Sequence, residues 1–196
     1  MPSRGAVYIA YGAKAFGEAA TSLTSLNRTN PGIKSIMLSQ PVEGASSDAQ
    51  ASRWAKVNLD QLSPFDLTLY MDADTRPQGD LSAGFKMLAD GWELVIAPSE
   101  NQGVECLWHV SKDERDLTLK ELSRIPLQLQ AGIFFFRKTP DILRLFAVWR
   151  EEWERYRDQD QAALLRALDR QQIKIWLLGR PWNGGAIVQH LYGRCR

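Results

Sequence analysis

The sequence contains little cysteine, little histidine and almost no excess of charge of either sign. Its 196 residues include two cysteines and two histidines, and the formal net charge is +1. This balance excludes a strongly basic nucleic-acid footprint, so we expect no nucleic-acid partner. Cys106 and Cys195 show no CxxC spacing, and we interpret them as free thiols of a reducing cytosol, with a disulfide left open. His109 has no partner pattern and is interpreted as structural.

Long hydrophobic runs are also absent. A membrane span needs roughly 20 apolar residues, and no run approaches that length, so we expect no membrane span. The amino-terminal MPSRGAVYIAYG has one early basic residue and a short apolar run interrupted by glycine, which indicates a first strand and not a signal peptide. We therefore predict a cytoplasmic protein. Because 44% of the residues are hydrophobic and no linker divides the chain, we predict a single domain over residues 1–196.

Apolar runs that predict strands alternate with segments of helical spacing. Strands are predicted at 6–11, 33–39, 66–72, 93–98, 129–136 and 173–178, and helices at 14–30, 47–62, 79–91, 142–156 and 160–171. Residues 99–124 are polar and weakly patterned, so we expect a loop there with room for one short helix. Such alternation is typical of a mostly parallel sheet with helices on both faces.

Two aspartates stand one residue apart directly after the third predicted strand, LTLYM. In an extended chain residues i and i+2 point to the same side, so Asp72 and Asp74 face one region at the strand's carboxyl end. Ligands of open parallel sheets bind at this edge, and hard carboxylate ligands suit Mg²⁺ or Mn²⁺. The alternative is a pair of solvated aspartates that open the turn in DTRP.

The stretch LTLYMDADTRPQGDL resembles the Asp-x-Asp region of the GT-A nucleotide-diphospho-sugar transferases. It is most similar to glycosyltransferase family eight and its small bacterial and phage relatives. The resemblance implies an α/β fold, a single Rossmann-like GT-A domain with a mixed, mostly parallel sheet flanked by helices. It also implies that Asp72 and Asp74 hold a divalent cation, usually Mn²⁺ with Mg²⁺ as the alternative, which bridges the donor diphosphate. Asp72 would also approach the ribose, and Ala73 lies between the two in the donor site.

Two segments before this pair resemble other parts of the family's donor site. The end of the first strand, Ala10, Tyr11 and Gly12, would meet the base and ribose, and an aromatic ring there can stack on a base. The helix that precedes the Asp-x-Asp strand carries Arg53 and Lys56, which would reach towards the nucleotide. A solvated helix face is the alternative interpretation of these two cations.

Two segments after the aspartate pair also resemble parts of the family's donor site, and they follow in the order that the family has. Gln130, Ala131 and Gly132 resemble the family's Asn-x-Gly strand under the donor sugar, with Gln130 in place of the asparagine. Asp160 and Gln161 resemble the Asp-Gln helix start that lines the donor-sugar pocket, and the resemblance places Gln161 beside the reacting carbon. The alternative for Asp160 is a plain helix N-cap.

The last match is QHLYGR, which resembles the family's carboxyl-terminal His-x-x-Gly. It implies that His190 is the third metal ligand, and an imidazole with two carboxylates suits Mn²⁺ better than Mg²⁺. Arg194 or Arg196 would then meet the diphosphate. Trp182 and Asn183, just upstream, are candidates for the wall of an acceptor pocket.

The ordered set predicts a metal-dependent glycosyltransferase. It would transfer a sugar from a nucleotide-diphosphate donor, preferably a UDP-sugar, to an unknown glycan, protein or small-molecule acceptor. The resemblance implies retention at the anomeric carbon, and a same-face displacement is the natural hypothesis because no carboxylate nucleophile is evident. An inverting enzyme would need a base such as Asp158, Asp160 or a loop glutamate.

Two other classes remain open. MDADT also fits the DxDxT motif of haloacid-dehalogenase-like, Mg²⁺-dependent phosphohydrolases, in which Asp72 would be the nucleophile. That motif usually follows the first strand of a chain, whereas two strands and two helices precede it here. The second alternative is a nucleotide-binding protein without transfer activity.

Overall fold

The computed structural model describes residues 2–100, 107–122 and 127–193, in which strands and helices alternate. The strands are β1 (Arg4–Ile9), β2 (Lys34–Leu38), β3 (Leu67–Met71), β4 (Thr75–Pro77), β5 (Leu94–Pro98), β6 (Leu129–Arg137), β7 (Ile175–Leu177) and β8 (Val188–His190). The helices are α1 (Gly12–Thr29), α2 (Asp48–Val57), α3 (Leu59–Leu62), α4 (Ser82–Ala89), α5 (Lys112–Glu121), α6 (Pro140–Glu154) and α7 (Asp160–Arg170). A short 3-10 helix, Arg180–Trp182, precedes β8.

Six of the strands in the described ranges form one sheet in the order β2-β1-β3-β6-β5-β7. The first three run parallel to one another, and β7 runs parallel to β5. β6 is antiparallel to both of its neighbours, β3 and β5. This mixed, mostly parallel sheet flanked by helices confirms the predicted fold class. None of the described helices is long and apolar enough to cross a membrane.

The core lies on both faces of the sheet because successive side chains of a strand point to opposite sides. On one face, Phe134 and Phe136 of β6 pack in the cluster that contains Trp149 of α6. On the other face, Phe135 packs edge-on against Phe85 of α4. A shift of one residue would exchange these faces, so burial of the three phenylalanines sets the register of β6.

The helix predicted over 47–62 is divided in the structure. Ser47 caps α2 by accepting a hydrogen bond from the Gln50 N–H, and Asn58 separates α2 from α3. The strand predicted at 173–178 shortens to β7, and the weakly patterned 99–124 segment contains α5.

The sequence pattern predicts no strand at β4 or β8, yet these two pair with each other. Their antiparallel register places Thr75 opposite His190. Each strand is only three residues long, which is too short for alternation of apolar and polar residues to be recognised. This pairing carries the carboxyl-terminal segment back to the end of β3.

Close packing of α4 on β6 predicts opposite effects of alanine at two helical glycines. A Cβ at Gly84 would lie 2.3 Å from the Phe135 ring, whereas one at Gly17 in α1 meets nothing within 4 Å. Gly84→Ala should lower the free energy of unfolding by about 1–3 kcal/mol. Gly17→Ala should raise it by about 0.5–1 kcal/mol. Chemical denaturation measures both, and equal stabilisation by the two variants would contradict this packing.

Candidate active site

The carboxyl end of β3 brings together Asp72, Asp74 and His190. One ligand atom from each lies within 4.8 Å of the others, and His190 Nε2 is 3.3 Å from Asp74 Oδ1. The β4–β8 ladder accounts for this approach, and it is extended by a hydrogen bond of 3.0 Å from the Leu191 N–H to the Asp74 carbonyl. The aspartate pair and a histidine from a distant part of the sequence therefore form one cluster.

The His190 ring is oriented by its neighbours. Its Nδ1 lies 3.2 Å from Asn183 Oδ1 and 3.3 Å from Gln130 Nε2, and its face stacks on Tyr192 with ring centroids 4.2 Å apart. The Nε2–H of this ring can donate to Asp74 Oδ1, whereas a hydrogen bond from Nδ1–H to Asn183 Oδ1 would leave the Nε2 lone pair for an ion bound between the two side chains. Metal-binding histidines commonly have this arrangement, in which a hydrogen bond at one nitrogen sets the tautomer for the other.

Gly132 provides the space in which the cluster forms. A Cβ at this position would lie 2.4 Å from His190 Cε1 and 2.8 Å from Asp72 Oδ2. The Asp72 N–H also donates to the Gly132 carbonyl over 2.8 Å. Because β6 runs beside β3, any side chain here would push the two candidate ligands out of place.

Lys56 compensates the charge of two carboxylates. It is buried, and its Nζ is 3.1 Å from Asp72 Oδ1 and 3.3 Å from Asp160 Oδ2. Burial lowers the pKa of Lys56, but Asp160 and Asp72 raise it by more, so the amine stays protonated. Burial raises the pKa of Asp72 against the opposing effect of Lys56. The Tyr70 hydroxyl donates to the same carboxylate.

Asp74 has a different environment from Asp72. Burial raises its pKa, but hydrogen bonding to His190 and the Gly193 N–H outweigh this effect and lower the pKa to about 2. The Gly193 N–H donates to Asp74 Oδ2 over 2.6 Å. Asp74 is therefore fully ionised at neutral pH, as a metal ligand must be.

Asp160 begins α7 but does not cap it. The N-cap is Gln159, which makes no side-chain cap hydrogen bond, and the Asp160 carboxylate instead pairs with Lys56. The N-cap interpretation of Asp160 is therefore wrong. The Trp149 indole donates to the Asp160 carbonyl over 2.9 Å and holds this helix start in place. Gln161 follows in the first turn of α7, and its position beside a reacting carbon stays a prediction.

A cleft of about 500 Å³ opens beside the cluster. Its walls include seven of the residues predicted to act in the site, namely Tyr11, Arg53, Lys56, Asp72, Ala73, Asp74 and Asp160. A second hollow of about 690 Å³ is lined by Ala10 and Gly12. Tyr11 and Asp48 belong to the walls of both. The predicted donor-binding residues on β1, α2 and β3 thus surround adjoining spaces.

Three other predicted residues, Gln130, Ala131 and Trp182, do not line either of these spaces. Gln130 contacts His190, and Ala131 is buried within β6. Trp182 is buried and packs edge-on against Phe135, which makes it a core residue rather than an exposed pocket wall. The predictions for the remaining four, Arg194, Arg196, Cys106 and Cys195, lie outside the described residues.

His109 and Arg53 lie near the α7 side of the cleft. Burial lowers the pKa of His109, and the charge of Arg53 lowers it further. The charges of Asp160 and Asp158 raise it, but by less. Arg53 Nη1 is 3.6 Å from Asp158 Oδ1. The structural interpretation of His109 stays a prediction.

Three contributors to the site have no place in the sequence predictions. Tyr70 precedes Asp72 by two residues, so strand alternation could have placed its hydroxyl beside that carboxylate. Asp48 is the first residue of α2 and lines the cleft, and its position in the sequence marks only a helix start. Tyr192 stacks on His190 at a turn for which the sequence carries no local signal.

Comparison with known proteins supports the fold. No protein-family model matches the chain, and a search of curated proteins finds no relative. Solved structures do match. The apo form of mouse xyloside xylosyltransferase 1 is 11% identical with a TM-score of 0.61, over 98% of this chain and 99% of that one.

Two further solved structures also match the fold of this chain. The galactosyltransferase LgtC, in complex with donor and acceptor sugar analogues, is 13% identical with a TM-score of 0.57, over 89% of this chain and 73% of that one. A glycosyltransferase involved in glycosylation of the major capsid of PBCV-1 is 11% identical with a TM-score of 0.59, over 98% and 94%. This chain has the GT-A fold. In this fold the Asp72–Asp74–His190 cluster lies at the carboxyl end of β3, a central strand of the sheet.

The close approach at Gly132 predicts that Gly132→Ala weakens metal binding. The new methyl group would displace His190 and Asp72, and Mn²⁺ affinity should fall by about 10–100-fold, as it does when the support of a ligand is disturbed. Isothermal titration calorimetry with Mn²⁺ alone measures the effect, with Gly17→Ala as the matched control. Unchanged Mn²⁺ affinity in a folded Gly132→Ala protein would refute the cluster as a metal site.

Proposed function

We propose that this chain is a metal-dependent glycosyltransferase that transfers a sugar from a nucleotide-diphosphate donor, with UDP-sugars as the leading donors. The observation that carries the proposal is the Asp72–Asp74–His190 cluster at the carboxyl end of β3. It occurs in a fold shared with solved glycosyltransferases.

The donor set fits a divalent cation. Two carboxylates and one imidazole are near enough to share an ion, and Nδ1 of His190 is already hydrogen-bonded. The mixture of oxygen and imidazole ligands favours Mn²⁺ over Mg²⁺. When bound, the ion would supply positive charge that stabilises the departing diphosphate.

The two adjoining spaces support a placement of the donor. We assign the base and ribose to the hollow at Ala10 and Gly12, where the Tyr11 ring can stack on the base. The diphosphate then lies in the cleft beside Asp72 and Asp74. In this placement the base of the donor lies at the end of β1 and its diphosphate lies at the end of β3.

The donor sugar belongs near the start of α7 in this placement. Lys56 bridges Asp72 and Asp160, and so holds the phosphate end and the sugar end of the site at a set separation. We assign Gln161 to the face of the sugar beside the reacting carbon. Retention by same-face displacement follows from the family resemblance and is part of the proposal.

The phosphohydrolase alternative has less support from the site. Oδ1 of its required nucleophile, Asp72, is engaged by Lys56 and by the Tyr70 hydroxyl. A phosphohydrolase of this type completes its site with a further acidic pair, whereas the one metal-capable cluster of the described ranges consists of Asp72, Asp74 and His190.

The proposal predicts that nucleotide binding depends on both Mn²⁺ and Asp74. Asp74→Asn removes a ligand charge without changing the size of the side chain, and Mn²⁺-dependent affinity for UDP should fall by about 100-fold. Asp90→Asn, the same substitution at an exposed position, is the control. Calorimetry with Mn²⁺ or with EDTA reports the binding. An Asp74→Asn protein with wild-type affinity would remove the metal assignment.

Turnover separates a transferase from a nucleotide-binding protein. A panel of sugar nucleotides with Mn²⁺ should show release of free nucleoside diphosphate from at least one donor, and EDTA should abolish it. Binding of UDP without release from any donor, even when saccharides are supplied, would favour the non-catalytic alternative. Hydrolysis of small phosphoesters in place of sugar nucleotides would favour the phosphohydrolase.

A further inference from the structure

The strand β7 has apolar side chains on both of its faces. Ile175 and Leu177 line a groove of about 490 Å³ on the α7 side of the sheet, while Trp176 points to the opposite side and packs edge-on against Trp92. The exposed fraction is 40% for Trp176 and 47% for Leu177. Strands that are apolar on both faces are typical of the interior of a sheet.

β7 nevertheless lies at the end of the sheet, with β5 on one side and no described strand on the other. The Lys174 carbonyl and the Leu178 N–H both form hydrogen bonds with β5. Because successive residues of a strand direct their backbone groups to alternate edges, the N–H and C=O groups of Ile175 and Leu177 face away from β5. Unpaired groups of this kind are a template for another strand.

This edge lacks the features that keep natural edge strands from pairing. Such strands commonly carry lysine, proline or a bulge, whereas residues 175–178 are Ile-Trp-Leu-Leu and pair with β5 in unbroken register. At the other end of the sheet, β2 begins with an exposed lysine and its other side chains are half-buried. β7 therefore has the properties of an interior strand that lacks its second neighbour.

We propose that β7 pairs with β7 of a second copy of this chain, antiparallel and about a two-fold axis. With the axis at Trp176, Ile175 of one copy lies opposite Leu177 of the other, and these two exchange backbone hydrogen bonds. The two Trp176 residues then form the closely spaced pair that has no hydrogen bonds between its members. A two-fold contact requires a surface that complements itself, and this register provides one.

The same register brings together the apolar surfaces of the two copies. Cross-strand neighbours have Cβ atoms about 4.5–5.5 Å apart, so Trp176 meets its symmetry mate on one face of the sheet. On the other face, Ile175 and Leu177 of the second copy lie at the mouth of the groove. Leu127 lines that groove and is exposed, so the contact would remove apolar surface from water on both faces.

Charge favours a second copy as the occupant of this edge. Residues 175–178 carry no charged side chain. The flanking Lys174 would lie about 13 Å along the strand direction from Lys174 of the other copy. This separation exceeds the Debye length of about 8 Å at physiological ionic strength, so the two cations do not oppose pairing.

The available area is that of a small homodimer interface. Such an interface buries on the order of 500 Å² on each copy, of which about 65% is apolar. Trp176, Leu177 and Leu127 are exposed and border the open groove, and together they offer a few hundred Å² of apolar surface. We therefore expect a dimer with a dissociation constant in the micromolar range.

This contact leaves both active sites accessible. Two six-stranded sheets would join into one continuous sheet, and the strands of the two copies would run in opposite directions. The carboxyl ends of β3, with their Asp72–Asp74–His190 clusters, would then lie at opposite ends of the dimer. The inference does not depend on the reaction that occurs there.

Sedimentation velocity of the full chain tests the proposal over a concentration series that spans the micromolar range. The wild-type chain should pass from monomer to dimer as its concentration rises. Leu177→Lys should weaken association by about tenfold or more, because the two new ammonium groups would be diagonal neighbours about 7–8 Å apart. Leu143→Lys, the same substitution at an exposed leucine of α6, is the control and should leave association unchanged.

Cross-linking tests the register. In a chain whose Cys106 and Cys195 are replaced by serine, Trp176→Cys places two thiols at positions whose Cα atoms are about 4.5 Å apart, which a disulfide can bridge. Oxidation with diamide should give a covalent dimer that dithiothreitol separates. Lys174→Cys in the same background should stay monomeric, since its mate lies about 13 Å away.

Three results would each overturn the proposal. The first is a wild-type chain that stays monomeric throughout the micromolar range, which would leave the edge to another occupant. The second is a folded Leu177→Lys chain that associates as tightly as the wild type. The third is a Trp176→Cys chain that forms no more covalent dimer than Lys174→Cys. Circular dichroism establishes whether Leu177→Lys is folded, and if it is not, the cross-linking result decides.

Discussion

The site depends on how the protein holds two carboxylates together at the end of β3. Two like charges within 4.8 Å repel by roughly 3 kcal/mol at the effective dielectric of a protein. Lys56 offsets this repulsion at Asp72, while His190 and the Gly193 N–H do so at Asp74. The compensation is divided between two sides, so each carboxylate has its own partner. A cation between them would satisfy both carboxylates at once.

Three distant segments must meet for this arrangement to exist. β3 supplies the aspartates, β6 passes beside them with Gly132, and the β4–β8 ladder returns His190. The antiparallel placement of β6 between β3 and β5 is therefore part of the site and not only of the core. Its phenylalanines anchor the strand on both faces, which keeps the Gly132 backbone against the candidate ligands.

The sequence allowed prediction of what is local in the chain. β3 and its aspartate pair follow from an apolar run and strand alternation, and the resemblance selected His190. The β4–β8 pairing could not be predicted because each strand is too short to show a period. The Lys56–Asp160 ion pair joins α2 to α7, and a long-range contact of this kind leaves no pattern in either helix. For the same reason the sequence could not exclude the alternative interpretation of Asp160 as an N-cap. The single domain, the cytoplasmic location and the identity of the donor stay predictions.

We propose that Asp72, Asp74 and His190 together hold one divalent cation that meets a nucleotide diphosphate. Anomalous diffraction from crystals grown with Mn²⁺ and UDP would locate this cation. One strong manganese peak should lie in contact with all three side chains and with the diphosphate oxygens. A manganese peak bound elsewhere, or UDP bound with no metal at this cluster, would contradict it.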